Sequence, residues 1–324
     1  MTALTVLKLE RRLDSRIWGG KFLGAWLHLK NAPAQLAESW QVYEQNRIIE
    51  GPFTGRTLAD LTQEYGAALV GTRSFARYGP DFPLLAKFID ADDSLSVQVH
   101  PDDHYAHSVE AATGFHGKTE AWYILRAAPG AQLIHGLAHA SRREEFQQAV
   151  ASQQLDELLR YLSVQAGDTI FVPAGTVHAI NAGILLFEIQ QKSDLTYRVY
   201  DYDRRDANGQ LRELHLERAL DVIDYQAAEQ AQVPARDLGN GKTLLVSCEY
   251  FAMERWQLDE LQHTSTHPAS FEIFTVIEGT AKLQAQGSTH TLICGESIVL
   301  PASLGSYSLE AQGQATLLRC YVPA

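Results

Sequence analysis

Residues 167–178 read Gly167-Asp168-Thr169-Ile170-Phe171-Val172-Pro173-Ala174-Gly175-Thr176-Val177-His178. The β-branched and aromatic run before Pro173 is a strand. Pro173 has no N–H to give to a sheet and ends it. Gly175 then supplies the positive φ of a tight turn, and the chain re-enters as the next strand with His178 at its head. Side chains alternate across a strand, so this strand–turn–strand aims an imidazole at one fixed face, as a barrel does when it points a ligand inward.

Upstream, Ser94-Leu-Ser-Val-Gln-Val-His100 alternates cleanly. Ser96, Gln98 and His100 share one face, and Leu95, Val97 and Val99 share the other. A polar face set against an apolar one suits a barrel whose cavity holds something polar. Glu120 opens the next strand, Glu-Ala-Trp-Tyr-Ile-Leu. His100, Glu120 and His178 then offer two imidazoles and a carboxylate, and Gln98 adds a neutral oxygen. That set suits one divalent metal with a position open to substrate, and ligand softness alone fits zinc, iron or manganese. The spacing Gly-x5-Pro-x-Gly-x2-His resembles the second signature motif of the cupin superfamily.

Most of the chain reads as short strands between Gly, Pro and Asn turns, among them 94–100, 120–125, 131–137, 168–173, 184–190 and 195–203. Two stretches have helical spacing. The first, 57–71, has Thr57 and Asp60 as an N-terminal capping pair and Gly71 as its stop. The second runs from Ser141 to about Leu162, with Ser141 and Glu144 at capping-box spacing and a break near Ser152. An internal repeat is visible. Residues 119–125 parallel 271–277, and 167–180 parallel 295–308, the first copy being longer by about the helical stretch after Ser141. The expected fold is therefore mainly β: two cupin, jelly-roll-like β-barrel domains with a helical insertion in the first. The metal-binding domain spans 1–235, and a degenerate, metal-free one spans 236–324. In the second copy the histidine position is Ser306 and the turn glycine is Ser303, although Glu272 stands where Glu120 does.

The formal charge of −12 argues against nucleic acid or a membrane surface as partner. An anionic substrate would have to be held by local Arg and Lys. Cys248, Cys294 and Cys320 form no C-x-x-C pair, so neither a disulfide framework nor a thiolate zinc site is indicated. No apolar run is long enough to span a bilayer and the N-terminus lacks a signal-peptide pattern, which makes the cytoplasm the expected location. Nothing in the pattern separates monomer from homodimer.

The run Phe-Pro-Leu-Leu-Ala-Lys-Phe-Ile-Asp-Ala-Asp-Asp-Ser-Leu-Ser-Val-Gln-Val-His-Pro-Asp-Asp at 82–103 is highly specific. With Trp-Gly-Gly (18–20), Gly-Lys-Thr-Glu-Ala-Trp-Tyr-Ile-Leu (117–125), 167–180 and 185–204, it resembles the type I mannose-6-phosphate isomerases in their short bacterial form. The resemblance spans nearly the whole chain. It implies a sugar-phosphate substrate, mannose 6-phosphate and fructose 6-phosphate, and one zinc ion on Gln98, His100, Glu120 and His178. It also implies an arginine needed for catalysis at Arg198.

Aldose–ketose isomerisation moves a proton between C1 and C2 through a cis-enediol. It needs a base beside those carbons and positive charge where the enediolate oxygen develops. Lys118, two residues before Glu120, and Glu188 are both candidates for the acid/base group. For the phosphate, Ser96 shares the ligand face and Arg204 sits at an offset where the family has a basic residue. Arg204 has a second reading, that it only balances Asp201, Asp203 and Asp206. An iron-dependent dioxygenase and a non-catalytic sugar-binding cupin are the rival functions on this fold. His104, His107 and His116 read as solvated, and Trp18 and Trp40 as packing residues.

Overall fold

The structure, a computed structural model, describes residues 2–205 and 209–323. The chain is mainly β, with antiparallel strand pairing in three sheets of nine, five and six strands among the described residues.

The six-stranded sheet runs Arg12–Gly20, Leu36–Val42, Leu84–Ala91, Ile184–Gln191, Glu120–Ala127, Thr169–Val172. The five-stranded sheet runs Tyr197–Tyr200, Val97–Val99, His178–Ile180, Gln132–Leu137, Leu159–Ser163. Between the two lies one apolar cluster that takes Leu133 and Ile180 from the smaller sheet and Ile89, Trp122, Ile124, Ile170 and Leu186 from the larger. Alternation accounts for the rest. From the larger sheet, Phe88, Ala121, Tyr123, Phe187 and Ile189 point the other way, into a second core shared with Phe82, Phe251, Phe271 and Ile273. From the smaller, Val97, Val99, Ile134 and Ala179 back onto Phe146, Leu155 and Leu220. The central strand Ile184–Gln191 is buried on both faces, which is why it opens on the unbroken apolar run 184–187.

The nine-stranded sheet consists of strands from Arg236–Gly239 onward, joined at one edge by Leu7–Lys8. Its long strands Glu272–Ala285 and Ser306–Tyr321 are interrupted by register shifts, between Val276 and Glu278 and between Gly279 and Ala281. Bulges of this kind let a strand bend, and the curved sheet surrounds a core of Trp256, Phe274, Leu283 and Leu317.

Both helical expectations need correction in extent. The capping box at Thr57 forms, with the Asp60 N–H donating to Thr57 Oγ1 at 3.1 Å and the Thr57 N–H to Asp60 Oδ2 at 2.9 Å. The helix Leu58–Tyr65 stops at Gly66, however, where φ is +49°. A single turn, Ala67–Val70, follows before Gly71. Within 141–162, only Arg143–Ala151 is α-helical, and Ser141 reaches the Glu145 side chain instead of capping it. Leu159–Ser163 is a strand, because it completes the edge of Gln132–Leu137.

Gly71 has φ +88°, and a Cβ there would meet the backbone of Ala269 at 2.4 Å. The two neighbouring N–H groups, of Thr72 and Arg73, donate to Pro268 and Ala269 carbonyls. Gly71→Ala is thus both strained and obstructed, and a loss of at least ~2 kcal/mol is expected in urea unfolding. A stability equal to wild type would mean that this contact is not made.

Candidate metal centre

Register sets out one wall. His178 stands opposite Gln98 on one side and His135 on the other, and Gln98 stands opposite Arg198. Directly opposed residues share a face, so Arg198, Gln98, His178 and His135 form a row across the inner face of the five-stranded sheet. On the facing sheet, Glu188 stands opposite Trp122 and Lys87, and Lys87 opposite Trp40. Glu120 is two residues from Trp122 and shares its face.

The two imidazoles are turned by their outer nitrogens. His100 Nδ1 lies 2.8 Å from the Leu195 carbonyl oxygen, and His178 Nδ1 lies 2.8 Å from that of Thr176. A carbonyl only accepts, so each Nδ1 carries the proton and each Nε2 presents its lone pair inward. His178 Nε2 lies 3.4 Å from Glu120 Oε1, and His100 Nε2 3.6 Å from Glu120 Oε2. The Gln98 amide is 3.3 Å from His178 Nε2, and half a turn about its last bond presents the oxygen. Ligand atoms around a tetrahedral zinc, at about 2.0–2.1 Å from the ion, stand about 3.3 Å from one another. The donor set therefore fits such an ion in type and in spacing. Among the described residues, His100, Glu120 and His178 are the one group of three or more His, Cys, Asp or Glu side chains close enough to hold a metal. All three are buried. Burial lowers His178 to about 3 and, reinforced by Lys118 and His178, holds His100 well below its ordinary value. Both are the neutral imidazoles that metal ligation needs.

Above these groups opens a cleft of about 290 Å³ lined by Ser96, Gln98, Lys118, Glu188, Arg198 and Arg212, among others. Five cationic side chains, Arg16, Lys87, Lys118, Arg198 and Arg212, face three carboxylates, Glu38, Glu188 and Asp194. The excess of positive charge is local, in a chain of net charge −12. Lys118 bonds to Glu120, lies 3.0 Å from His100 Nε2 and stands 3.9 Å from Glu188. Trp122 Nε1 donates to Glu188 Oε2 at 2.9 Å. Burial, and then the charge of Glu120, push the Glu188 carboxyl up.

Arg204 does not line the cleft. It donates to Asp201, to Asp93 and to the Ser94 carbonyl; of the three carboxylates the charge-balancing reading named, Asp201 is the one bonded here, and Asp206 lies outside the described residues. Arg212, Lys87 and Glu38 line the cleft without having been singled out in the sequence. Lys87 had no alternation to reveal it, because Leu84–Ala91 is buried on both faces. Arg212 lies in a loop and has no periodicity to reveal it. Trp18, read as packing alone, also lines the cleft. His116 is buried rather than solvated, 3.0 Å from His107 and 3.1 Å from Asp81.

Residues 6–123 match the family described as phosphomannose isomerase type I, catalytic domain, and residues 241–322 match the mannose-6-phosphate isomerase cupin domain. The mannose-6-phosphate isomerase ManA of Bacillus subtilis is 38% identical over 92% of this chain and 94% of its own. The chain belongs to the type I mannose-6-phosphate isomerase family. The mannose-6-phosphate isomerase of Streptococcus mutans is 35% identical, covering 94% of this chain and 95% of its own. The crystal structure of the Bacillus subtilis mannose 6-phosphate isomerase superposes with a TM-score of 0.87 at 32% identity, covering 98% of this chain and 99% of that one. A mannose 6-phosphate isomerase structure described as holo and zinc bound shares the fold, with a TM-score of 0.79 at 18% identity over 99% and 100% of the two chains. Among the described residues no helix is long and apolar enough to cross a membrane.

In the nine-stranded sheet, Glu272 is bonded by Tyr307 Oη and Arg319, and Arg319 also reaches Glu254 at 3.0 Å. A guanidinium and a phenol thus satisfy the carboxylate that parallels Glu120.

Proposed function

We propose that this chain interconverts mannose 6-phosphate and fructose 6-phosphate, with one zinc ion held by Gln98, His100, Glu120 and His178. The observation that carries the reading is the inward Nε2–Glu120–Nε2 triangle, with edges of 3.4 and 3.6 Å, beneath a cationic cleft. A zinc ion held there would supply a Lewis acid for the sugar carbonyl. The chain's own residues do the rest. Arg198 presents a permanent charge to the oxygen that becomes negative. Glu188, its carboxyl pushed up by burial, carries the proton from C2 to C1, and Lys118 gives a proton to O1 and takes the one that O2 releases. Lys87 lies 3.4 Å from both Glu38 and Glu188. Although burial opposes its charge, the carboxylates outweigh that and raise its pKa, so it remains a fixed cation. Ser96, on the ligand face, donates to the substrate phosphate, and Arg204 acts on that end through Asp201.

The same reading makes residues 1–235 a cupin unit with Arg143–Ala151 as its helical insertion, and 236–324 a second, degenerate cupin unit. The insertion falls between the paired strands Gln132–Leu137 and Leu159–Ser163, where the second unit has only the two residues Gln286 and Gly287 between Glu272–Ala285 and Ser288–Ile293. The protein is placed in the cytoplasm, with small sugar phosphates as its partners. The cationic cleft disfavours an iron dioxygenase, for which an apolar pocket is the usual setting.

Metal analysis beside a coupled isomerase assay tests the function. One equivalent of zinc and activity lost on chelation are expected; iron with oxygen consumption would replace the isomerase by the dioxygenase. Glu188→Gln is expected to keep the zinc and slow turnover by at least ~10²-fold. Exchange of C2 deuterium with solvent should slow equally. Exchange at the wild-type rate would transfer the base role to Lys118.

A further inference from the structure

We propose that Arg212 is the side chain that grips the 6-phosphate of the substrate, and that Asp201 is the positioning residue that aims it. The inference rests on the sugar-phosphate reading above and names the anion site within it.

Each of the other cleft cations already has a local task. Arg16 is largely exposed and reaches Asp14 at 3.4 Å. Lys87 is held between Glu38 and Glu188, and Lys118 between Glu120 and His100. Arg198 donates Nη1 to the Glu213 carbonyl at 2.6 Å and stands opposite Gln98, at the metal end. Arg212 differs, because the carboxylate that holds it is shared. Asp201 is buried, accepts from Arg212 Nε at 2.6 Å and from Arg212 Nη2, and accepts from Arg204 Nη2 at 2.6 Å. The Asp201 carboxylate is thus divided between two guanidiniums, of which Arg204 is also answered by Asp93 at 3.2 Å. The fork through Nε and Nη2 fixes the plane of the Arg212 guanidinium, and among the described residues Nη1 makes no hydrogen bond, so it is available to an anion. Burial alone would push the Asp201 carboxyl up; the two arginines outweigh it and hold it below the usual carboxylate range.

Position agrees with this role. Tyr200 stands opposite Val97, so Asp201 falls beside the Ser96 end of that strand. Ser96 and Gln98 are two residues apart on one face, about 7 Å. This is the length of a six-carbon sugar from its carbonyl end to the phosphate on C6. With the carbonyl end at Gln98 and the ligand triangle, the phosphate falls between Ser96 and Arg212, both of which line the cleft. The turn that makes this possible is strained. Tyr202 and Asp203 are consecutive non-glycine residues with φ of +57° and +53°, and they reverse the chain so that Arg204 returns to Asp201. Strain of this kind persists where surrounding contacts over-determine it, often at ligand clamps.

The test uses zinc-loaded full-length protein, with mannitol 6-phosphate as a non-reacting probe by titration calorimetry and mannose 6-phosphate as substrate. Arg212→Gln is expected to weaken mannitol 6-phosphate binding and raise KM by ~30-fold, with kcat changed by less than ~3-fold. Zinc content and circular dichroism should match wild type. Arg212→Lys should recover part of the binding, and Asp201→Asn should raise KM in the same direction but by less. Unchanged mannitol 6-phosphate affinity in Arg212→Gln would overturn the assignment, and so would a fall in kcat with KM unaltered. If wild type binds mannitol 6-phosphate through Arg212 yet does not turn over mannose 6-phosphate, the phosphate site stands and the isomerase reading falls.

Discussion

His178→Ala is expected to be purified with less than ~0.1 equivalent of zinc and to turn over at least ~10³-fold more slowly than wild type. The expectation follows from how the ring is held. His178 is fully buried, its Nδ1 is fixed by the Thr176 carbonyl, and its Nε2 lies 3.4 Å from Glu120 and 3.3 Å from the Gln98 amide. It is the member of the set that touches both other ligand types, so its loss leaves one imidazole, one carboxylate and a weak neutral oxygen. The variant should remain folded. Removing the ring deletes its hydrogen bonds to Thr176 and Gln98 and opens a small cavity beside Trp122, while Glu120 retains Lys118 as its counter-ion. His178→Gln fills most of that space and separates ligand loss from cavity formation; it should lose the metal equally. Elemental analysis, circular dichroism and a coupled assay on the same preparations are decisive. A full equivalent of zinc in folded His178→Ala would mean that the ion binds elsewhere.

What the sequence could disclose was the part whose physics is local. The turn at Pro173 and Gly175 depends on the backbone chemistry of those two residues, and Gly175 indeed has φ +87°. The alternation around Gln98 placed it on the face that register then set opposite His178 and Arg198. Where the reading failed, apolar residues on both faces had erased the period. Leu159–Ser163 packs Leu159 into one core and Leu162 against another, so its leucines repeat at a spacing that a helix would also give. Lys87 was silent for the same reason. It lies in an apolar run, and only the pairing that sets it beside Glu188 and Trp40 gives it a role. Arg204 and Arg212 show the remaining limit. Both are basic and both bond to Asp201, yet only Arg212 lines the cleft, and no alternation in the sequence separates the two.

Arg198→Ala is expected to keep its zinc and lose ~10³-fold in kcat, with kcat/KM falling by a similar factor. The backbone of Arg198 is paired opposite Gln98, so the side chain leaves the strand beside the metal ligands without being one of them. Its N–H donates to His215 Nδ1 at 3.2 Å and its Nη1 to the Glu213 carbonyl at 2.6 Å, while Nε is buried with no hydrogen-bond partner among the described residues. Burial, and then the charge of Arg212, push its pKa down. A guanidinium starts so high that it stays protonated even so. The site therefore keeps a desolvated, incompletely satisfied cation on the wall where negative charge develops, and its interaction strengthens as the enediolate forms. That is stabilisation specific to the transition state, which lowers kcat and kcat/KM together when removed. Arg198→Lys should not restore the rate, because an ammonium cannot hold the Glu213 carbonyl and present a second fixed donor in the same plane. A merely structural arginine would behave differently, with zinc content or thermal stability falling alongside activity. If Arg198→Ala isomerises at the wild-type rate with its zinc in place, the charge that meets the enediolate must come from Lys87 or Lys118 instead.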